Sequence, residues 1–347
     1  MKVKRNRFSL SKNRAIILVI IIAAMSGLIQ LRNPAWLSWG NITDVLVDTS
    51  ILGMLALGMM LVILTAGIDL SIASIVSFTC MLAPMIMIER PQTPPVLSFV
   101  AAIICGALMG LINGVLVSKG RIIPIIATLG TMNIYRGLNL LIIQDYGGWI
   151  TSSEMDQSFL TLSSQVKPLG IHIYIWFLVI LYVIFYILMN QTRFGRRVYA
   201  VGSNAEATSL SGVSAPKIVM AVYTISGAIA GFCGPLWAGR YSFAQGDSAM
   251  GFEMFVIAAC VIGGVSVNGG IGTVMGVFFG AILIGVIKNA LPMLMISTFW
   301  QNALQGAIIL AAVIVNVLVI RRSQKRVLLE RAAARESKRG PAVSPQS

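Results

Sequence analysis

The chain has 347 residues, of which 57% are hydrophobic and only 11% charged, and its mean hydropathy is +0.86. A soluble domain carries about 25% charged residues, so a soluble globular fold is excluded. The formal net charge of +14 does not point to nucleic acid, because the basic residues cluster between apolar runs and at both ends, where they act as topology signals.

Apolar runs of about 20 residues, the length a helix needs to cross a bilayer, recur from end to end. They predict an all-α, polytopic transmembrane helical bundle with ten spans, at about 15–32, 43–66, 70–88, 96–118, 123–143, 171–190, 218–239, 253–266, 271–290 and 298–320. The eighth is short for a full crossing. The first is too long for a cleaved signal core and is followed by more spans. Residues 1–14 read as a basic cytoplasmic N-terminus, 15–320 as the membrane domain and 321–347 as a basic, disordered cytoplasmic tail. Cys80, Cys105, Cys233 and Cys260 lie in or at the edge of apolar runs without metal-ligand spacing. They read as small packing residues.

The sides follow from the basic clusters. These are Lys2 to Arg14, Lys119 with Arg121, Arg193 to Arg197 with Lys217, and Arg321 to Arg326. With ten spans all four fall on one face, which the positive-inside rule makes cytoplasmic. An odd count splits them across the membrane. Both termini are then inside, and the segments 32–39, 89–95, 145–170, 240–251 and 291–297 lie outside.

Between spans two and three stands Thr-Ala-Gly-Ile-Asp-Leu-Ser, residues 65–71, where Asp69 is the only charged side chain from Ile51 to Ile88. Little polar sequence is present to make an ordinary turn, so the join is a tight or partly submerged break. Gly67 relieves strain there. Asp69 and Ser71 are placed to cap the next helix, with the carboxylate at the positive end of its dipole. A second reading puts Asp69 on a path through the bundle or in its gating, since intramembrane ionisable groups face protein or water. The two are compatible, and capping is preferred.

Further polar residues lie within spans. Asn113 is in the fourth, and Asn133, Arg136 and Asn139 follow at three-residue spacing in the fifth, predicting one shared face toward protein or a water-filled path. Interhelical hydrogen bonding is the plainer use of that face. Lys288, near the outer end of span nine, is placed to snorkel.

Residues 192–218, TRFGRRVYAVGSNAEATSLSGVSAPKI, form the longest internal loop between spans. They predict a short displayed helix at Asn204–Ser211, with Asn204 as N-cap and Gly212 as its left-handed stop. Residues 263–276, GGVSVNGGIGTVMG, form a second break. No Gly-Lys-Ser/Thr follows, so this is not a phosphate loop. Asn268 suits a turn or cap, and Gly272, Gly276 and Gly280 form a small-xxx-small face for close helix packing.

Glu206-Ala207-Thr208 followed by Gly212 is similar to the coupling signature of ABC importer permeases. LTAGIDLSIASI, NGVLV, IIATLGTMNIYRG, FGRRVYAVGSNAEATSLSGV and IAACVIGGVSVNGGIGTVMGVFFGA occur in order over roughly residues 40 to 320. Together they resemble the ribose-type, sugar branch of binding-protein-dependent importer permeases. The chain departs from that pattern at Ile72-Ala73, where Val-Gly is usual, and at Val267-Asn268, where an aromatic or Leu-Leu pair is common.

The resemblance implies a type II ABC importer fold in the bacterial inner membrane. It implies a second permease, identical or paralogous, around a central path. ATP-binding subunits would dock inside at Glu206, Ala207 and Gly212, and a periplasmic or lipid-anchored sugar-binding protein would dock outside. Transport would be by alternating access between two states. The chain has no Walker motif, so it is expected to be a transport subunit and not an enzyme, with no cofactor or metal. Pentoses, hexoses, deoxyhexoses such as rhamnose and the furanosyl quorum-sensing signal all remain open as cargo. An ion-coupled secondary transporter is the rival class, but it needs several ionisable groups near the midplane. This chain offers mainly Asp69 and Arg136.

Overall fold

The computed structural model describes residues 4–297, with only isolated positions beyond them up to 314, and for residues 4–14 it describes the backbone alone. The tenth expected span and the basic tail lie outside the described residues. Among the described residues, eight helices are long and apolar enough to cross a membrane, and one shorter apolar helix accompanies them.

In chain order the elements are α1 (Lys4–Arg32), α2 (Trp39–Leu64), α3 (Ile72–Glu89), α4 (Pro95–Ser118), α5 (Pro124–Ile143), β1 (Trp149–Thr151), α6 (Gln157–Leu160), α7 (Ile173–Gln191), α8 (Arg193–Ser203), α9 (Ala205–Leu210), α10 (Ala215–Tyr241), β2 (Phe243–Gln245), α11 (Phe252–Ile262) and α12 (Val274–Met293). The basic stretch at the N-terminus is helical from Lys4 and continuous with the first span.

α2 is apolar on every side and is buried from Thr49 to Leu64, the pattern of a central helix. Around it pack α10, α12, α7 and α11, with α3 and α4 on the far side of α10 and α5 against both. α1 packs on α12 and leaves most of its apolar surface exposed, as suits a helix that faces lipid or a partner. The exception to the all-α pattern is a two-stranded ribbon, in which β1 pairs antiparallel with β2, Ile150 opposite Ala244.

The structure sorts the loops into two ends. Trp149 pairs with Gln245 across the ribbon, and Asn33 Nδ2 donates to the Met293 carbonyl at 3.1 Å, so those segments share one end. The segments at 64–71, 192–214 and 263–273 share the other, through contacts described below. This is the grouping that the basic clusters predict.

The short eighth span has a physical reason. α11 has 11 residues, about 16 Å of helix, against roughly 30 Å of hydrocarbon. The segment before it re-enters the bundle to cover the difference. The carbonyl of buried Gly246 accepts from Ser77 Oγ at 2.9 Å and from Asn139 Nδ2 at 3.0 Å, and Ser77 lies in the first half of α3.

The closest helix crossing was not foreseen from sequence. Gly106 and Gly110 of α4 and Gly227 and Gly231 of α10 interleave so tightly that a Cβ on any of them would strike backbone of the other helix. The anticipated Gly272–Gly276–Gly280 face is only partly used. Gly276 and Gly280 meet the backbone at Gly263 and Ala259, while Gly272 meets only side chains of Val265 and Leu64.

Gly227→Ala should therefore destabilise the purified protein by about 1–3 kcal/mol, the usual cost of overpacking. Gly137→Ala, whose added carbon meets nothing within 4 Å, should not. Thermal unfolding in detergent measures both, and equal melting temperatures would remove the α4–α10 crossing as a determinant of stability.

Candidate functional site: the joint between two helix breaks and the displayed loop

α2 ends at Leu64, whose carbonyl has no partner within its own helix. It accepts instead from the Gly270 backbone N–H at 2.9 Å. Gly270 belongs to the turn after α11, in which Gly269 N–H donates to Ser266 O and Ser266 N–H to Ile271 O. Gly269 and Gly270 both have positive φ, 81° and 70°, the left-handed region that glycine tolerates. Gly202 of α8 lies against the same bond, so close that a Cβ there would strike the Leu64 carbonyl oxygen and come within 2.7 Å of Gly270 N. Tyr199, one turn earlier, donates its hydroxyl to the Gly272 carbonyl at 2.9 Å. Burial pushes the Tyr199 phenol above its ordinary value, which keeps it a donor. Three segments far apart in sequence are thus joined backbone to backbone.

The chain then turns from α2 into α3. The left-handed residue of this turn is Ala66, φ 60°, and not Gly67, which was expected to relieve strain. Gly67 is required for space: a Cβ would come within 2.7 Å of the Tyr223 hydroxyl. Asp69 is fully buried. Its Oδ1 accepts from Ser71 N–H at 2.9 Å and from Ser71 Oγ at 2.7 Å, which closes a turn just ahead of α3. Ser71, expected as a second cap, makes no capping bond of its own, because its hydroxyl is already committed to Asp69. Asn113 of α4 donates to Ser71 Oγ at 2.7 Å. Among the described residues, Asp69 Oδ2, Asn113 Oδ1 and the Tyr223 hydroxyl are buried without a hydrogen-bond partner. The break therefore sits on a polar cluster with three open positions.

The displayed loop is more helical than expected. Thr192 caps α8 by accepting from Gly195 N–H at 3.2 Å, so the basic stretch read as loop is an amphipathic helix. Asn204 caps α9 by accepting from Ala207 N–H at 2.9 Å. Gly212 follows with φ 80°, as its place after the helix predicted. Glu206, Ala207 and Leu210 are exposed, Leu210 by 87%, and only Thr208 of α9 is buried.

The polar residues of α5 do not share a face. Asn133 is exposed and donates to Leu129 O of its own helix at 2.9 Å. Arg136 is half-buried and lies 3.5 Å from Glu253. Asn139 is buried and donates to Ser77 Oγ at 3.0 Å. Each three-residue step falls about 60° short of a turn, so the third residue points well away from the first. Asn268 is exposed within the Ser266–Gly269 turn, and α12 is capped by Thr273, not by Asn268.

Sequence reasoning passed over Glu253, Arg240, Asp44 and Asp48. Arg240 of α10 bonds Asp48 through Nε at 2.9 Å and Asp44 through Nη2 at 3.2 Å, clasping the opposite end of α2. A carboxylate four residues from another at the head of an apolar run was the available signal. Gly202 and Tyr199 were also missed, since only the fold brings them to the breaks.

A family profile described as branched-chain amino acid transport system, permease component, matches residues 41–313. A ribose import permease protein of Haemophilus influenzae is 37% identical over 89% of this chain and 94% of its own length. An L-arabinose ABC transporter permease protein of Azospirillum brasilense is 34% identical over 90% of this chain and 89% of its own. A galactose/methyl galactoside import permease protein of Escherichia coli is 35% identical over 86% of this chain and 93% of its own. No solved structure matches.

The hydrogen bonds at the break separate two substitutions. Asp69→Ala removes the acceptor for both Ser71 donors and should cost about 1–3 kcal/mol, the usual worth of hydrogen bonds to a buried charged group. Asp69→Asn retains Oδ1 and should melt close to the wild type. Equal destabilisation by both, read from thermal unfolding, would show that the break requires the charge itself.

Proposed function

Because this chain belongs to the family of branched-chain amino acid transport system permease components, we propose the cargo and the working parts that follow from that membership. The chain is a transport subunit of a binding-protein-dependent ABC importer, a multi-pass inner-membrane protein that works with an ATP-binding subunit and a substrate-binding protein. Its cargo is a monosaccharide, a pentose or hexose, moved by alternating access. Relatives named for ribose, arabinose and galactose, each matched over nearly its whole length, support a sugar over an amino acid.

The observation that carries the mechanism is the joint. α9 displays Glu206, Ala207 and Leu210 to solvent, an exposed apolar and charged surface suited to a partner. α9 follows α8 directly, and α8 meets both helix breaks through Gly202 and Tyr199. The ATP-binding subunit docks on α9 and Gly212, within a coupling segment at 192–217. Its closure moves α8, and α8 carries the ends of α2 and α11 with it. The end of the bundle that holds α8 and α9 is cytoplasmic, as the basic clusters require. A second permease, identical or paralogous, completes the path.

Proteoliposomes holding the full transporter test this directly. ATP-dependent uptake of ribose, arabinose or galactose is expected, without dependence on a proton or sodium gradient. Uptake of leucine alone would overturn the sugar reading.

Gly212→Val tests the docking element. It places a β-branched residue at φ 80°, a left-handed cost of about 1–2 kcal/mol, while its Cβ meets nothing within 4 Å. ATP hydrolysis should continue with most uptake lost and membrane abundance retained. Normal uptake would remove the coupling role from this loop. For orientation, Ser203→Cys should resist an impermeant thiol reagent added to intact cells, and Ser242→Cys should react.

A further inference from the structure

At the end of the bundle away from α8 and α9, α10, the re-entrant segment, α11 and α12 line an open cleft of about 580 Å³. This is within the range of roughly 300–1,000 Å³ usual for small-molecule sites. The segment that lines it is fixed at Gly246, whose carbonyl accepts from Ser77 and Asn139.

The walls combine two chemistries. Trp237, Tyr241 and Phe252 supply aromatic rings. Trp237 meets Tyr241 at 5.0 Å and 47°, and Phe252 at 4.9 Å and 86°, so the rings face different directions around one space. Lys288, Gln245 and Asp247 supply the polar groups. Lys288 Nζ stands 4.7 Å from the centre of the Phe252 ring. Among the described residues it has no carboxylate within ion-pair distance. Neither the Gln245 amide nor the Asp247 carboxylate has a hydrogen-bond partner among the described side chains. A lysine and an aspartate line the same cleft without pairing.

We propose that this cavity is a subsite for a neutral monosaccharide on its way through the permease. The proposal rests on the sugar reading above and assigns that cargo a place on this chain. A monosaccharide has an apolar C–H face and a rim of hydroxyls. The C–H face packs on Trp237 or Tyr241. The hydroxyls accept from Lys288 and donate to Asp247, with Gln245 able to do either. An ammonium held on a ring face keeps its remaining donors for the ligand.

The cavity lies far from the docking element. α10 alone, with 27 residues, spans about 40 Å between the two. Binding and ATPase coupling are therefore separable by mutation. Lys288→Met keeps the apolar stem and removes the ammonium, and Asp247→Asn changes an exposed side chain.

Both variants, assembled with the ATP-binding subunit and the binding protein in proteoliposomes, should lose at least tenfold of uptake at low sugar concentration and recover part of it at high concentration. The ratio of ribose to arabinose to galactose uptake should change. ATP hydrolysis stimulated by the loaded binding protein should be unaltered. Wild-type uptake of all three sugars by both variants would overturn the subsite. So would an equal fall in every sugar and in ATP hydrolysis, which is the mark of a structural defect. Failure of the sugar reading shows separately in the wild type, as an absence of uptake for all three sugars or as uptake of leucine in their place.

Discussion

Backbone that leaves helical geometry inside a bilayer must find its hydrogen bonds within the protein, because lipid offers none. The carbonyl of Leu64 is the point at which this chain meets that demand. It ends the most buried helix of the bundle, and its partner is the Gly270 N–H. That single bond dictates much around it. The turn that presents Gly270 must run through two left-handed residues, which makes glycine the suitable residue at 269 and 270. α8 can close over the bond only if position 202 has no side chain. Three glycines in three contexts thus answer to one carbonyl.

The same contact explains how a displayed helix governs buried ones. A packed side chain can change rotamer and absorb a displacement. Backbone against backbone at Gly202, Leu64 and Gly270 leaves no such slack, and Tyr199 adds a second attachment at Gly272. At its other end α2 is clasped by Arg240 through Asp44 and Asp48. That clasp is partly exposed to solvent and made of side chains, so it contributes little to stability and is the more easily broken of the two. The central helix is fastened rigidly at the end beside α8 and more loosely at the end beside Arg240.

Most of the architecture was legible in the sequence, because span length reports directly on bilayer thickness and the basic clusters mark which loops share an end of the bundle. The N-cap at Asn204 and the stop at Gly212 were legible for a similar reason: they are local rules about one helix end. What the sequence concealed was of two kinds. The Gly106–Gly110 and Gly227–Gly231 crossing, and the role of Gly202, depend on which helices become neighbours, and a single sequence does not record that. The face shared by Asn133, Arg136 and Asn139 failed because three-residue spacing holds alignment over one step and loses it over two. Gly67 shows a subtler miss. A glycine at a break was expected to supply a left-handed conformation, yet Ala66 adopts that conformation, and Gly67 makes room for Tyr223.

The distribution of charge bears on what drives the cycle. Arg136 stands beside Glu253, and Arg240 beside Asp44 and Asp48. Lys288 and Asp247 line one cavity with opposite signs. An ion-coupled carrier needs a buried charge near the midplane whose neutralisation by a proton or cation is linked to the turn of the cycle. Among the described residues, the one fully buried carboxylate without a cationic neighbour, Asp69, is held by Ser71 in the joint beneath α2, beside the segment where α8 enters. On the mechanism proposed above, that position ties it to the transmission of force and not to the capture of cargo. On the same mechanism, the energy for accumulation enters mechanically, through the backbone joint at Leu64.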